Sequence, residues 1–87
     1  MIPLQSRMAR AALGWGVREL AKAAKVSTET VVRLERGERL LERTVEAIQG
    51  ALEKGGVEFI AENGGGAGVR LLRKQRTRAT TKPKGVV

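Results

Sequence analysis

The side chains in this chain best suited to chemistry are donors and acceptors for base edges, not catalytic groups. Thr28, Glu29, Val32 and Arg33 follow Ser27 in the stretch STETVVRLERG, which reads as a short helix opening at Ser27 and ending before Gly37. When such a helix lies in the DNA major groove, its N-terminal, outward side chains meet the base edges. A guanidinium at Arg33 donates two hydrogen bonds to guanine O6 and N7, worth about 1 to 3 kcal/mol of discrimination, and lysine has no equivalent fork. Glu29 accepts from cytosine N4 and repels misplaced phosphates, while Thr28 and Val32 reach a thymine methyl. Around these readers, the helix N-terminus at Ser27 and Thr28 offers a phosphate unpaired N–H groups and positive dipole, and Ser27 and Thr30 are counted among the phosphate-binding residues. Arg18, Arg36, Arg39 and Arg43 flank the same face as backbone clamps, which position without specifying.

Composition narrows the other function classes. The 87 residues contain no Cys, His or Tyr, so the usual metal ligands, general bases and thiol nucleophiles are missing. Ser6 and Ser27 have no imidazole partner, and neither an enzyme nor a metal or cofactor is expected. Formal net charge is +8, and it is unevenly placed: seven basic residues and no acid fall in residues 70 to 87, leaving +1 for the rest. A polyanionic partner follows, and double-stranded DNA fits better than a membrane because no apolar or amphipathic segment accompanies the basic run. The tail then serves as a nonspecific DNA arm that raises affinity and salt sensitivity. The opening MIPLQSRMARAALG lacks a basic region followed by a continuous apolar run and reads as a helix of the mature protein, not a leader. A cytoplasmic, nucleoid-associated protein is expected.

These readers need a scaffold, and hydrophobic spacing supplies one. Leu4, Met8 and Ala11 or Ala12 recur at helical intervals, predicting a first helix from Pro3 to Leu13 ended by Gly14. Gly16 caps a second helix from Val17 to Ala24 whose inner stripe is Val17, Leu20, Ala21 and Ala24, and Lys25 and Val26 form the turn. Ser27 caps the third helix, with Val31 and Leu34 inward. Glu38 to Arg43 is a charged connection broken by Leu40 and Leu41, and a fourth helix, Glu42 to Lys54, carries Val45, Ile48, Ala51 and Leu52. After Gly55-Gly56 the period drops to two: Val57, Phe59 and Ala61 alternate with Glu58, Ile60 and Glu62, which predicts a strand. Asn63 to Gly66 reads as a turn and Val69 to Arg73 as the return strand. Trp15 is expected in the core or as a lid. The glycines of 64 to 68 lack the following Lys-Ser/Thr and helix of a phosphate cradle, so they read as the hairpin turn.

The expected fold is mainly α, with a four-helix helix-turn-helix domain over residues 1–54, a β-hairpin over 55–73 and a disordered basic tail over 74–87. Apolar residues fall on both faces of the hairpin. Val57, Phe59, Ile60, Val69, Leu71 and Leu72 are therefore expected to join two subunits. A two-fold homodimer would place two recognition helices on one side and read an inverted repeat.

From Ala9 to Gly37 the chain runs ARAALGWGVRELAKAAKVSTETVVRLERG. Its LGW before the second helix, its REL-A-x-A-A-K-V-S run through the turn and its closing T-V-V-R-L-E-R-G together resemble the Cro/C1-type, or Xre, helix-turn-helix family. The likeness covers roughly Gln5 to Leu52, and ALEKGGVEFIAENGGGAGVRL extends it toward short bacterial regulators of this type. The resemblance implies a sequence-specific transcriptional regulator, in the first place a repressor. It also implies a structural pair between Arg10 on the first helix and Glu35 at the end of the recognition helix. Where the family has Ser-Gln opening the second helix, with the glutamine on phosphate, this chain has Gly16-Val17; the N–H of Val17 or the side chain of Arg18 would take that phosphate. Two other roles use the same residues: an antitoxin whose hairpin or tail neutralises a toxin, and an antiactivator that caps another regulator through its hairpin edge without specific DNA reading; contact with polymerase would instead serve activation by the DNA-bound chain.

Overall fold

Local capping accounts for the helix boundaries in the computed structural model, which describes residues 1–72. The basic tail expected at 74–87, and Arg73 at the end of the expected return strand, lie outside the described residues. Helix α1 (Pro3–Leu13) opens with proline at its first turn and closes on Gly14; α2 (Val17–Ala24), α3 (Thr28–Glu35) and α4 (Glu42–Gly55) follow. At the start of α1 the Ile2 N–H donates to Gln5 Oε1 at 2.9 Å, and at the start of α2 the Gly16 N–H donates to Glu19 Oε1 at 2.9 Å, each satisfying a group that helix geometry leaves orphaned. Strands β1 (Val57–Ile60) and β2 (Gly68–Leu71) form an antiparallel pair with Val57 opposite Leu71 and Phe59 opposite Val69. The architecture is mainly α, four helices followed by a two-stranded hairpin. Among the described residues no helix is long and apolar enough to cross a membrane.

The helices surround a small core whose largest fully buried side chains include Leu20, Val31, Ile48, Leu52 and Val57. Each such side chain contributes about 1.5 to 3 kcal/mol relative to exposure. Ala21, Ala24 and Ala51 fill the spaces between them and let α2 and α4 approach closely. Trp15 packs partly buried against this core, as a lid over the end of α4. There the close approach needs a glycine: a Cβ on Gly55 would stand 2.8 Å from Trp15 Cη2 and 2.9 Å from Leu13 Cδ1. Gly55→Ala is therefore expected to lower stability by about 1 to 3 kcal/mol through overpacking, read as an earlier thermal melt and a shifted Trp15 fluorescence. An unchanged melt would mean that the indole swings away freely.

The helix predicted from the spacing of Leu4, Met8 and Ala11 or Ala12 forms, but the side chains it buries are Gln5, Ser6 and Ala9, whereas Leu4 is 54% exposed. Polar groups turn inward because each finds a distant partner. Gln5 Nε2 donates to the carbonyls of Ile60, at 3.0 Å, and Gly68, at 2.9 Å, tying α1 to the loop end of the hairpin. One expectation is corrected: Val57, expected at a subunit contact, is 1% exposed within this chain's own core. Phe59, Val69 and Leu71 pack against the same core, because the hairpin covers the helices with one face. Only Ile60 and Leu72 of the expected dimer set alternate to the other face, beside a Glu58–Arg70 ion pair of 3.0 Å. In the loop between the strands, the N–H groups of Gly64 and Gly66 donate to Glu62 Oε2 at 3.1 and 3.2 Å, so a protein carboxylate already fills the position a phosphate would need.

Candidate nucleic-acid interface

Helices α2 and α3, eight residues each, meet at a tight turn in which Lys25 adopts the left-handed conformation, φ 61°. The Val26 N–H closes the turn on the Ala21 carbonyl at 3.0 Å. Ser27 then opens α3, its Oγ accepting from the Thr30 N–H at 3.1 Å and sharing a 2.8 Å hydrogen bond with the Thr30 hydroxyl. This bond serves one first-turn N–H, as a serine cap should. The two sides of α3 separate cleanly. Val31 and Leu34 are buried, while Thr28, Glu29, Val32 and Arg33 are exposed, Val32 to 41%.

A buried network holds α3 against α1. Arg10 donates from Nε to Glu35 Oε2 at 2.8 Å and from Nη2 to Oε1 at 2.7 Å, and Ser6 Oγ donates to Oε2 at 2.7 Å. This is a two-pronged guanidinium–carboxylate pair with a third donor, and the side chains retain only 19% and 7% exposure. Burial pushes the Glu35 carboxyl up, but the hydrogen bonds from Arg10 and Ser6 and the charges of Arg10 and Arg7 outweigh it and hold the group below its ordinary value. Arg10 also donates to the Trp15 carbonyl, joining the α1–α2 connection to the network.

At its other end α3 stops in a backbone motif that brings a carboxylate beside Arg33. The Gly37 N–H donates to the Leu34 carbonyl and the Glu38 N–H to the Arg33 carbonyl, both at 3.0 Å. Gly37 takes φ 92°, a conformation that a side chain would strain. Glu38 Oε1 accepts from Arg33 Nε at 2.8 Å, and Oε2 accepts from Arg36 Nε at 2.9 Å. Hydrogen bonds from Arg33 and then Arg36 hold the Glu38 carboxyl below the usual range.

The phosphate candidates are less tightly grouped. Thr30, Arg33 and Arg39 come together with Leu40, Leu41 and Thr44 around an open hollow of about 440 Å³ between α3 and the start of α4. Arg18, Arg36 and Arg43 are exposed but do not line it. Val17 is half-buried against the core, so its side chain is unavailable and only its N–H remains to offer, at the first turn of α2.

No family model matches this chain, and no curated protein is significantly similar to it. The interface therefore rests on its own geometry.

Four residues at or behind this surface escaped the sequence reading. Glu38 was counted only as part of a charged connection, although a glycine two residues after a helical Glu signals a motif that pairs the residue after it with Arg33. Ser6 was considered only as a nucleophile, and no local pattern announces a hydroxyl that meets Glu35 across the core. Leu41, 66% exposed, and Thr44 border the hollow; the break of Leu40-Leu41 in the charged run was the available signal.

Proposed function

We propose that this chain is a Cro/C1-type transcriptional regulator that reads double-stranded DNA as a homodimer and represses by covering a promoter. The observation that carries this reading is the presentation of α3. Its inner side is packed through Val31 and Leu34 and tied by Glu35 to α1, so Thr28, Glu29, Val32 and Arg33 stand outward on a rigid support. On that side Val32 adds an apolar surface fit for a thymine methyl, and Arg33 and Arg39 line the hollow beside it. Rigid presentation matters because base readout requires side chains held in register with the groove while phosphate contacts fix the docking. No cofactor enters the reading.

The subunit contact follows the corrected hairpin. Ile60 and Leu72 occupy its outer face, and the adjoining N-terminus of α1, bound to the hairpin through Gln5, exposes Ile2 to 47% and Leu4 to 54%. Packing a second copy there joins two DNA-reading units through the element farthest in sequence from α3.

Selection from a random duplex library with the purified chain at about physiological salt tests the proposal. The expected product is an inverted repeat with half-sites about one helical turn, roughly 34 Å, apart. A chain carrying Ile60→Glu and Leu72→Glu is expected to sediment as a monomer and to enrich single half-sites. A folded wild-type chain that enriches no motif overturns the DNA reading, and persistent dimers in the double variant move the contact off the hairpin.

A further inference from the structure

We infer that Glu38 is a specificity-determining residue: it orients Arg33 for end-on reading of guanine and keeps Arg33 and Arg36 from settling on phosphate. The assignment rests on the DNA reading above and adds to it a residue that does not itself face a base. Its foundation is the backbone at the end of α3. The paired hydrogen bonds from Gly37 and Glu38 to the Leu34 and Arg33 carbonyls form a Schellman motif, which sets the side chains of Arg33 and Glu38 against each other. Helices ending this way frequently place two apolar residues there. This chain places opposite charges.

The atoms used decide the consequence. A guanidinium has a side edge, comprising Nε–H and one terminal N–H, and an end edge formed by the two terminal nitrogens. Glu38 Oε1 holds Arg33 by Nε at 2.8 Å, and among the described residues the terminal nitrogens of Arg33 meet no protein acceptor. The end edge is thus the fork left to meet guanine O6 and N7. Because the backbone motif fixes Glu38 relative to Arg33, only side-chain rotations are frozen in making the contact, and part of the ordering that reading requires is complete before DNA arrives.

The second carboxylate oxygen acts on Arg36, which it holds through Nε at 2.9 Å and through Nη2. One anion therefore occupies two cations on the face that approaches DNA, and its charge repels phosphates brought into a wrong register. The groups are well exposed, Arg33 to 44%, Arg36 to 60% and Glu38 to 39%, so the ion pairs add little to folding. Their effect belongs to binding, where loss of Glu38 frees two mobile arginines for any backbone.

Library selection and competition binding at about physiological salt, run on the full chain as wild type, Arg33→Ala, Glu38→Ala and Glu38→Gln, test the assignment. Wild type is expected to enrich a guanine that Arg33→Ala loses. Glu38→Ala should lose preference at that same guanine by about tenfold per half-site and bind unrelated duplex about threefold to tenfold more tightly. Glu38→Gln keeps an acceptor for Nε, so it should retain the guanine while its affinity for unrelated duplex rises. Equal melting temperatures are expected for the wild type and both Glu38 variants; should Glu38→Ala fail to fold, the rise in unrelated-duplex affinity of Glu38→Gln decides. Unchanged guanine preference and unchanged unrelated-duplex affinity in a folded Glu38 variant overturn the assignment while leaving the DNA reading intact. Absence of any motif with wild type overturns both.

Discussion

Replacing Arg33 by alanine is expected to erase the preference for the operator while leaving a weak, salt-sensitive affinity for any duplex. The side chain leaves α3 on its exposed side and is already oriented through Nε by Glu38. A two-pronged arginine–guanine contact discriminates by about 1 to 3 kcal/mol, which corresponds to about 5- to 150-fold per half-site. A two-fold dimer makes the contact twice, so the loss on an inverted repeat approaches the square of that factor. Phosphate contacts from the remaining basic residues survive, and with them the nonspecific affinity. Arg33→Lys separates charge from shape. It keeps the cation but not the planar fork, so its salt dependence should resemble wild type and its base preference the alanine variant. Competition between operator and unrelated duplex at two salt concentrations reads both quantities. An Arg33→Ala chain with undiminished operator preference removes Arg33 from the readout set and leaves Thr28, Glu29 and Val32 to carry it.

How far the sequence revealed this arrangement depended on the range of the interactions involved. The bounds of α1 and α2 were readable to the residue because Pro3, Gly14 and Gly16 act within a turn of themselves. Ser27 as the cap of α3, and Val31 and Leu34 as its inner residues, were equally local inferences. The buried side of α1 was not. Leu4 and Met8 have helical spacing and apolar character, yet Gln5 and Ser6 turn inward because their partners are the hairpin carbonyls and Glu35, contacts between segments far apart in the chain. A buried amide with its donors and acceptor satisfied is tolerable, and no periodicity shows in advance that partners will be there. The hairpin failed in a related way. Alternation placed Val57 and Phe59 on one face correctly, but it could not show that this chain's own helices would cover that face. For α3 the outward position of Thr28, Glu29, Val32 and Arg33 was legible from the inward spacing of Val31 and Leu34. The pairing of Arg33 with Glu38 became visible only when the Gly37 conformation brought the two side chains together.

Glu35→Ala is expected to be strongly destabilising for folding, lowering stability by about 2 to 4 kcal/mol. The variant leaves Arg10 without its two-pronged partner and Ser6, fully buried, without an acceptor. Breaking a buried ion pair from one side typically costs about 3 to 5 kcal/mol; the lower range applies because the Arg10 side chain keeps 19% exposure and regains some water. Against a typical small-domain stability of about 5 to 15 kcal/mol, that loss is large. The Arg10→Met and Glu35→Leu pair should recover much of it, since the cost lies in the orphaned charge more than in the missing attraction. The same network predicts acid sensitivity. The Glu35 carboxyl is held below its ordinary value when folded, so its contribution is fully present above the unfolded-chain value near about 4.3 and is lost as pH falls from there through the folded value. Arg10, raised chiefly by its hydrogen bond to Glu35, stays charged across this window and adds no slope. Denaturant unfolding at a series of pH values should therefore show wild-type stability falling below about pH 4, with a shallower fall in Glu35→Gln. Identical acid limbs in the two chains would place the titrating group elsewhere. A Glu35→Ala chain within about 1 kcal/mol of wild type, the range of an exposed pair, would mean that α3 is held on α1 by Val31 and Leu34 alone, and the rigidity that base reading requires would then come from packing and not from this network.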